Sequence, residues 1–235
     1  MAKINHDKKA LFFHVPKNAG TSLSVFLNSQ GWENVRYSPI DGERDDVAPS
    51  FSYARGCCQR IKHNFKLIAK KNIVASLADS KPIYIDIIND NEKKCYKNIN
   101  QNTWKDYFKF AFTRNPWDRV VSAWKNRSSI EKFEDFVNVL PAPKNKIDLC
   151  WHTMPQYDHL FDEDDNLMVD KLYRVENLQD DLKEICDQFQ LNYTTIGKIN
   201  SSKRKPYWEY YTDEMAEKIS IIYKNDIEKF NYKYR

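Results

Sequence analysis

A short apolar run that breaks into a loop holding a lysine, a glycine and two hydroxyls constrains this chain most. Residues Ala10 to Ser22 read ALFFHVPKNAGTS. The apolar, aromatic-rich segment Ala10 to Val15 has the composition of a buried strand, and Pro16 removes a ladder donor where that strand should end. After Gly20, the hydroxyls of Thr21 and Ser22 followed by Leu23, Val25, Phe26 and Leu27 predict a helix with an apolar side. A strand, a turn and a helix N-terminus in that order aim backbone N–H groups and a positive dipole end at one point. Phosphates and similar anions bind at such points, and Lys17 adds a charge beside it.

A second feature of the same kind lies further along the chain. Phe108 to Trp124 reads FKFAFTRNPWDRVVSAW. Phe108, Phe110 and Phe112 alternate with smaller or polar residues, which predicts a strand ending at Thr113 or Arg114. Asn115 is a favoured N-cap and Pro116 a favoured first helical residue. Trp117, Val120, Val121 and Trp124 then form the buried stripe of a helix. Arg114 falls at the strand's carboxyl end and Ser122 about two turns into the helix, so both can face one anion. Two such corners in a chain with only five glycines predict an α/β fold. Its central parallel sheet would be flanked by helices and bind a nucleotide outside the strands' carboxyl ends.

Composition excludes several other classes. The 37 basic and 33 acidic residues of the 235 give a net charge of +4, too mild to argue a nucleic-acid partner but suited to an anionic ligand. Aromatics make up 14 % of the residues, which predicts a packed chain rather than a disordered one. No segment approaches the roughly 18 apolar residues of a membrane span, and Met1 to Lys9 has no hydrophobic core for a signal peptide. Five cysteines with no CxxC pair argue against a disulfide framework and a zinc site. These features predict a soluble, cytoplasmic protein with no membrane partner and no metal. Oligomeric state is not legible.

In chain order, Met1 to Lys9 is expected to be a flexible tail. Gly31 to Ser50, with its prolines, glycines and acidic cluster, reads as a surface excursion. Phe51 to Lys71 shows weak helical spacing through Ile61, Phe65 and Ile68 and contains His63. Ile83 to Ile88 is composed like a strand, and Asp90 to Asn102 reads as exposed.

PKNAGTS and RNPWDRVVSAW together resemble the two signature loops of sulfotransferases that use 3'-phosphoadenosine 5'-phosphosulfate (PAPS). The chain is most similar to the membrane-type branch that sulfates carbohydrates, including the chondroitin and dermatan 4-O and heparan 2-O enzymes. DKLYRVENLQDDLKEI, from Asp170 to Ile185, resembles the family's later strand and helix, with Tyr173 and Arg174 where a glycine and a basic residue usually stand. NSSKRKPYWEYY and IIYKNDIEKFNY resemble its cofactor-covering loop and terminal helix. The resemblance implies a P-loop-NTPase-like sulfotransferase fold over residues 10–235 as a single domain, with residues 1–9 as the tail.

It also implies roles. Lys17, Asn18, Ala19, Gly20, Thr21 and Ser22 would hold the 5'-phosphosulfate, with Lys17 also catalytic; Arg114 and Ser122 would hold the 3'-phosphate, with Ser202 and Lys203 in the covering loop. The product would be adenosine 3',5'-bisphosphate. The acceptor would be a hydroxyl or amine of a carbohydrate or small molecule, attacking sulfur in line. His63 resembles a histidine that serves as catalytic base in the heparan 2-O enzymes; the alternative is a solvated helix histidine. His14 in the strand suits a packed core position, His152 could touch acceptor or pack, and nothing in the sequence argues for His159. Tyr207, Trp208, Tyr210 and Tyr211 could stack on adenine or form core. Two competing readings remain. A P-loop kinase needs GxxxxGK[ST], whereas here Lys17 precedes the single Gly20; a non-catalytic nucleotide- or glycan-binding module would keep the pocket without the transfer.

Overall fold

The structure is a computed structural model that describes residues 2–36, 97–98, 105–142, 147–162, 164–196 and 204–235. Elements are numbered over these residues. The predicted strand before the first loop is β2 (Ala10–Phe13), and α1 (Gly20–Ser29) follows the loop. The second corner is equally direct. β5 (Phe108–Thr113) runs into α2 (Pro116–Arg127), whose N-cap Asn115 accepts from Trp117 N–H at 3.1 Å. Proline stands at the helix start, where a missing N–H costs nothing.

β1 (Ala2–Asn5), β3 (Glu33–Arg36), β4 (Lys97–Asn98) and β6 (Lys171–Arg174) complete a six-stranded sheet among the described residues, ordered β4-β3-β1-β2-β5-β6. β2, β5 and β6 run parallel, with Phe12 opposite Phe110 and Phe112 opposite Tyr173. β1 is antiparallel to both β2 and β3. The sheet is therefore mixed, which corrects the expectation of a parallel one. Only a four-residue turn separates β1 from β2, too short for the crossover that parallel strands require. Asn5 Oδ1 accepts from Lys8 N–H in that turn, and Lys9 adopts a left-handed φ of 46°.

The same finding removes the expected flexible tail. Ala2 and Ile4 are buried, and Lys3 on the opposite face is 2 % exposed, its ammonium donating to Asn28 Oδ1 at 2.7 Å and to Asn34 Oδ1. A four-residue strand flanked on both sides needs only two apolar side chains, so its polar composition concealed it.

Strand alternation divides the core. Ala10, Phe12, Phe110 and Phe112 face α1 and α6 (Leu178–Phe189), packing with Leu23, Leu27, Leu182, Ile185 and Phe189. Leu11, Phe13 and Ala111 face the other side, with Leu160, Val169, Phe230 and Tyr232. The strand and helix expected between Asp170 and Ile185 are β6 and α6. A third cluster joins the stripe of α2 to α3 (Phe133–Asn138) and α7 (Asp213–Ile222). α4 (Ile147–Thr153), α5 (Gln156–Leu160) and α8 (Lys224–Lys229) lie near the strands' carboxyl ends, where α2 contacts α4 and α5 contacts α8. The expected excursion, helix and strand between Gly31 and Ile88 fall largely outside the described residues, as does most of Asp90 to Asn102.

Candidate functional site

The first loop is built from backbone conformations that side chains rarely adopt. Lys17 has φ 70° and Ala19 φ 57°, with Asn18 between them outside the left-handed region. Each such residue costs on the order of 1 kcal/mol or more, and such costs cluster where a loop holds a ligand. A turn of this kind can aim backbone N–H groups at an anion, although the Asn18 N–H is taken by Val15 O at 3.4 Å. The first N–H groups of α1 join them, since a helix's opening turn has no internal acceptors and no side chain caps this one. Lys17 is half-buried, Thr21 exposed and Ser22 buried.

Gly20 is required for a different reason. A Cβ added there would lie 2.0 Å from His14 Nε2 and 2.1 Å from His14 Cδ2. The imidazole thus fills the space beneath the start of α1, edge-on to Phe12 at 6.3 Å between ring centroids. Burial pushes His14 well below the ordinary histidine range, and the charges of His159, His152 and Lys17 push the same way. His159 is likewise held well below that range by burial, then by Arg119, while a hydrogen bond with the Trp151 backbone pulls back. Its ring meets Trp151 edge-on at 4.9 Å. His14 thus feels His159, His152 and Lys17, and His159 in turn feels His152; the sequence offered nothing for His159.

Asn18 does not present its side chain to a ligand. It is 1 % exposed, and its Nδ2 donates to Phe112 O at 2.6 Å and to Gln156 Oε1 at 2.7 Å. Its backbone N–H likewise donates within the protein, to Val15 O at 3.4 Å.

At the second corner, Arg114 Nη1 donates to Lys17 O at 2.9 Å, tying the two loops directly. Its Nε pairs with Asp118 at 2.7 Å, one turn into α2. Arg204 pairs with the other oxygen of the same carboxylate, and its buried Nη1 has no hydrogen-bond partner among the described residues. Two guanidinium groups thus converge on one acid at the end of β5. Asp118 also sits in the first turn of α2, where the helix dipole favours negative charge. Ser122 lies half-buried in the second turn of the same helix. Arg119 is 1 % exposed and donates to Pro16 O at 2.9 Å and Met154 O at 2.7 Å, bracing the first loop from below.

The sequence reading missed Asp118, Arg119, Gln156, Arg204 and Asp226, because interior polar ties have no local signature. Of the aromatics, Tyr210 packs on Trp124 and Phe133, and Tyr211 donates to Trp117 O at 2.8 Å. Tyr207 donates to Tyr234 O and lies 3.3 Å from Asn115 Nδ2, so these three belong to packing; Trp208 is 42 % exposed. His63, Ser202 and Lys203 lie outside the described residues. Among the described residues no group of His, Cys, Asp and Glu is arranged to hold a metal ion, and no helix is long and apolar enough to cross a membrane.

A family model described as "Sulfotransferase family" matches residues 1–233. No curated protein and no solved structure matches the chain.

Proposed function

Since the chain belongs to the sulfotransferase family, and is thereby a PAPS-dependent transferase, we propose that its two strand-to-helix corners form one nucleotide site. The loop from Lys17 to Ser22 would receive the 5'-phosphosulfate, and Arg114 with Ser122 the 3'-phosphate. One observation carries this reading: the corners lie at the carboxyl ends of neighbouring parallel strands, and Arg114 Nη1 bonds to Lys17 O at 2.9 Å. The donor set fits such a ligand, with an uncapped helix start, a left-handed turn and the buried, unpartnered Nη1 of Arg204 beside Arg114.

PAPS supplies the activated sulfuryl group. Lys17 would neutralise negative charge developing on the oxygen between sulfur and the 5'-phosphate, while Thr21, Ser22 and the N–H groups of α1 hold that phosphate. The Ser202 and Lys203 segment would close over the nucleotide. His63 is proposed as the base that takes the acceptor's proton. The acceptor would be a hydroxyl or amine of a carbohydrate or small molecule, as the likeness to the carbohydrate-sulfating branch implies.

Thermal stabilisation by adenosine 3',5'-bisphosphate should exceed that by ADP or ATP, because only a ligand bound to the folded state raises the midpoint. The opposite order would sink the reading. Lys17→Ala should abolish sulfate transfer from PAPS while leaving the fold intact, and near-normal turnover would remove Lys17 from the chemistry. A screen with labelled PAPS over saccharides, phenols, alcohols and amines identifies the acceptor.

A further inference from the structure

Gln156 opens α5 and is 0 % exposed. Its Oε1 accepts from Asn18 Nδ2 at 2.7 Å and from Arg114 N–H at 2.8 Å. Its Nε2 donates to Arg114 O at 2.8 Å and to Asp226 Oδ2 at 3.1 Å. Its own backbone N–H donates to the same Asp226 oxygen at 2.9 Å, and Tyr157 N–H donates to the other at 2.7 Å. Only one orientation of the amide satisfies these partners: turned over, its NH2 would face two donors and its oxygen a carbonyl and a carboxylate. Asp226 is itself fully buried in α8, so the amide is anchored on a fixed point.

This amide bridges the two loops where the sheet no longer can. The last registered pair between β2 and β5 is Phe13 with Ala111. Asn18 and Arg114 lie beyond that pair, outside the ladder that fixes strand spacing. Gln156 takes up both backbone groups of Arg114 and, through the same oxygen, the Asn18 side chain. Together with the direct bonds from Arg114 Nη1 to Lys17 O and from Asn18 Nδ2 to Phe112 O, it sets the distance between the first loop and the start of the second.

We infer that Gln156 is a positioning residue that fixes the separation of the two anion corners, so that a ligand carrying both phosphates binds better than its two halves would predict. The inference rests on the PAPS reading above. Gln156 touches no ligand itself; it acts through Asn18 and Arg114. Loss of its bonds lets the corners drift relative to each other while leaving each corner's own donors in place. A bidentate ligand then loses affinity, and a monodentate one does not.

The test is calorimetric binding of adenosine 3',5'-bisphosphate, adenosine 5'-phosphate and adenosine 3'-phosphate, with competition titrations for the weaker ligands. The proteins are wild type, Gln156→Met, which keeps the volume and loses the bonds, and Asn18→Ala, which removes the arm to the first loop together with the Asn18 bond to Phe112 O. In Gln156→Met, bisphosphate affinity should fall by roughly 10- to 100-fold and each monophosphate by no more than about 3-fold, the range expected of coupling between neighbouring groups. Asn18→Ala should show the same pattern with a smaller loss, and carries the test if the methionine variant gives no cooperative urea transition. Equal losses for all three ligands, or none, overturn the positioning role. A wild type that does not prefer the bisphosphate over both monophosphates overturns the PAPS reading and this inference with it.

Discussion

Replacing Gly20 by alanine sets two effects of opposite sign against each other. Gly20 begins α1 and is not among the residues with positive φ. On helix propensity alone, alanine should stabilise the fold by up to about 1 kcal/mol. Against this, the new Cβ would fall 2.0 Å from His14 Nε2, a separation that real carbon atoms do not tolerate. The imidazole is enclosed by Phe12 and the start of α1, so it must leave its rotamer or push the helix away. Overpacking of this kind costs typically 1–3 kcal/mol, and the net expectation for Gly20→Ala is a loss of up to about 2 kcal/mol. The same substitution made in a His14→Ala background meets no ring. There it should be neutral or stabilising, again by up to about 1 kcal/mol. Urea denaturation of the four proteins in the cycle measures the coupling between the two positions. The reasoning is refuted if Gly20→Ala shifts stability by the same amount and sign in both backgrounds.

Three further substitutions have definite expected outcomes. Thr212 caps α7 by accepting from Met215 N–H at 3.3 Å, so Thr212→Ala should cost about 1 kcal/mol in urea denaturation; no change would mean that the cap bond is not formed. Asp118→Asn leaves Arg114 and Arg204 without their shared acid and should destabilise the fold by roughly 1–2 kcal/mol, the pairs being only partly buried; adding Arg204→Gln should recover part of that loss, and no recovery would refute the shared pairing. His159, held below its ordinary range by burial, keeps the folded state from binding a proton that the unfolded chain takes up. Its contribution is intact above about pH 6.5 and is lost as pH falls below that value. His159→Gln should therefore lose less stability than wild type between pH 7.5 and pH 5, and parallel losses would place the acid sensitivity elsewhere.

What the sequence made legible was local. The two corners could be read because each is specified within about fifteen consecutive residues: an apolar strand, a proline, then a cap or a glycine before a helical stripe. Asn115 and Pro116 announce α2 by the groups they supply or lack, and the structure places them as expected. β1 was not legible, since AKIN has only two apolar residues, and what makes it a strand is pairing on both sides. The direction of Asn18 was equally hidden. A loop asparagine beside a lysine reads as a ligand contact, and only the carbonyl of Phe112 and the amide of Gln156, 94 and 138 residues away, turn it inward. His14 was expected in a packed position, but its dependence on Gly20 is a contact between a strand end and a helix start that no periodicity encodes. Gln156 and Asp226 carry no signal at all, because a buried polar tie is defined by partners that are distant in the chain.

The place of β1 in the sheet bears on the segment that contains His63. Residues 37–96 connect the end of β3 to the start of β4, and these two strands pair with each other. Among the described strands, β3 and β4 are attached to β2, β5 and β6 through β1 alone. The first four strand residues are therefore the link between the strands that carry the two corners and the pair that brackets His63 in the sequence. Deleting them would sever the sheet at its middle rather than trim its end, so, on the proposed role of His63, a shortened chain should lose acceptor turnover before it loses nucleotide binding.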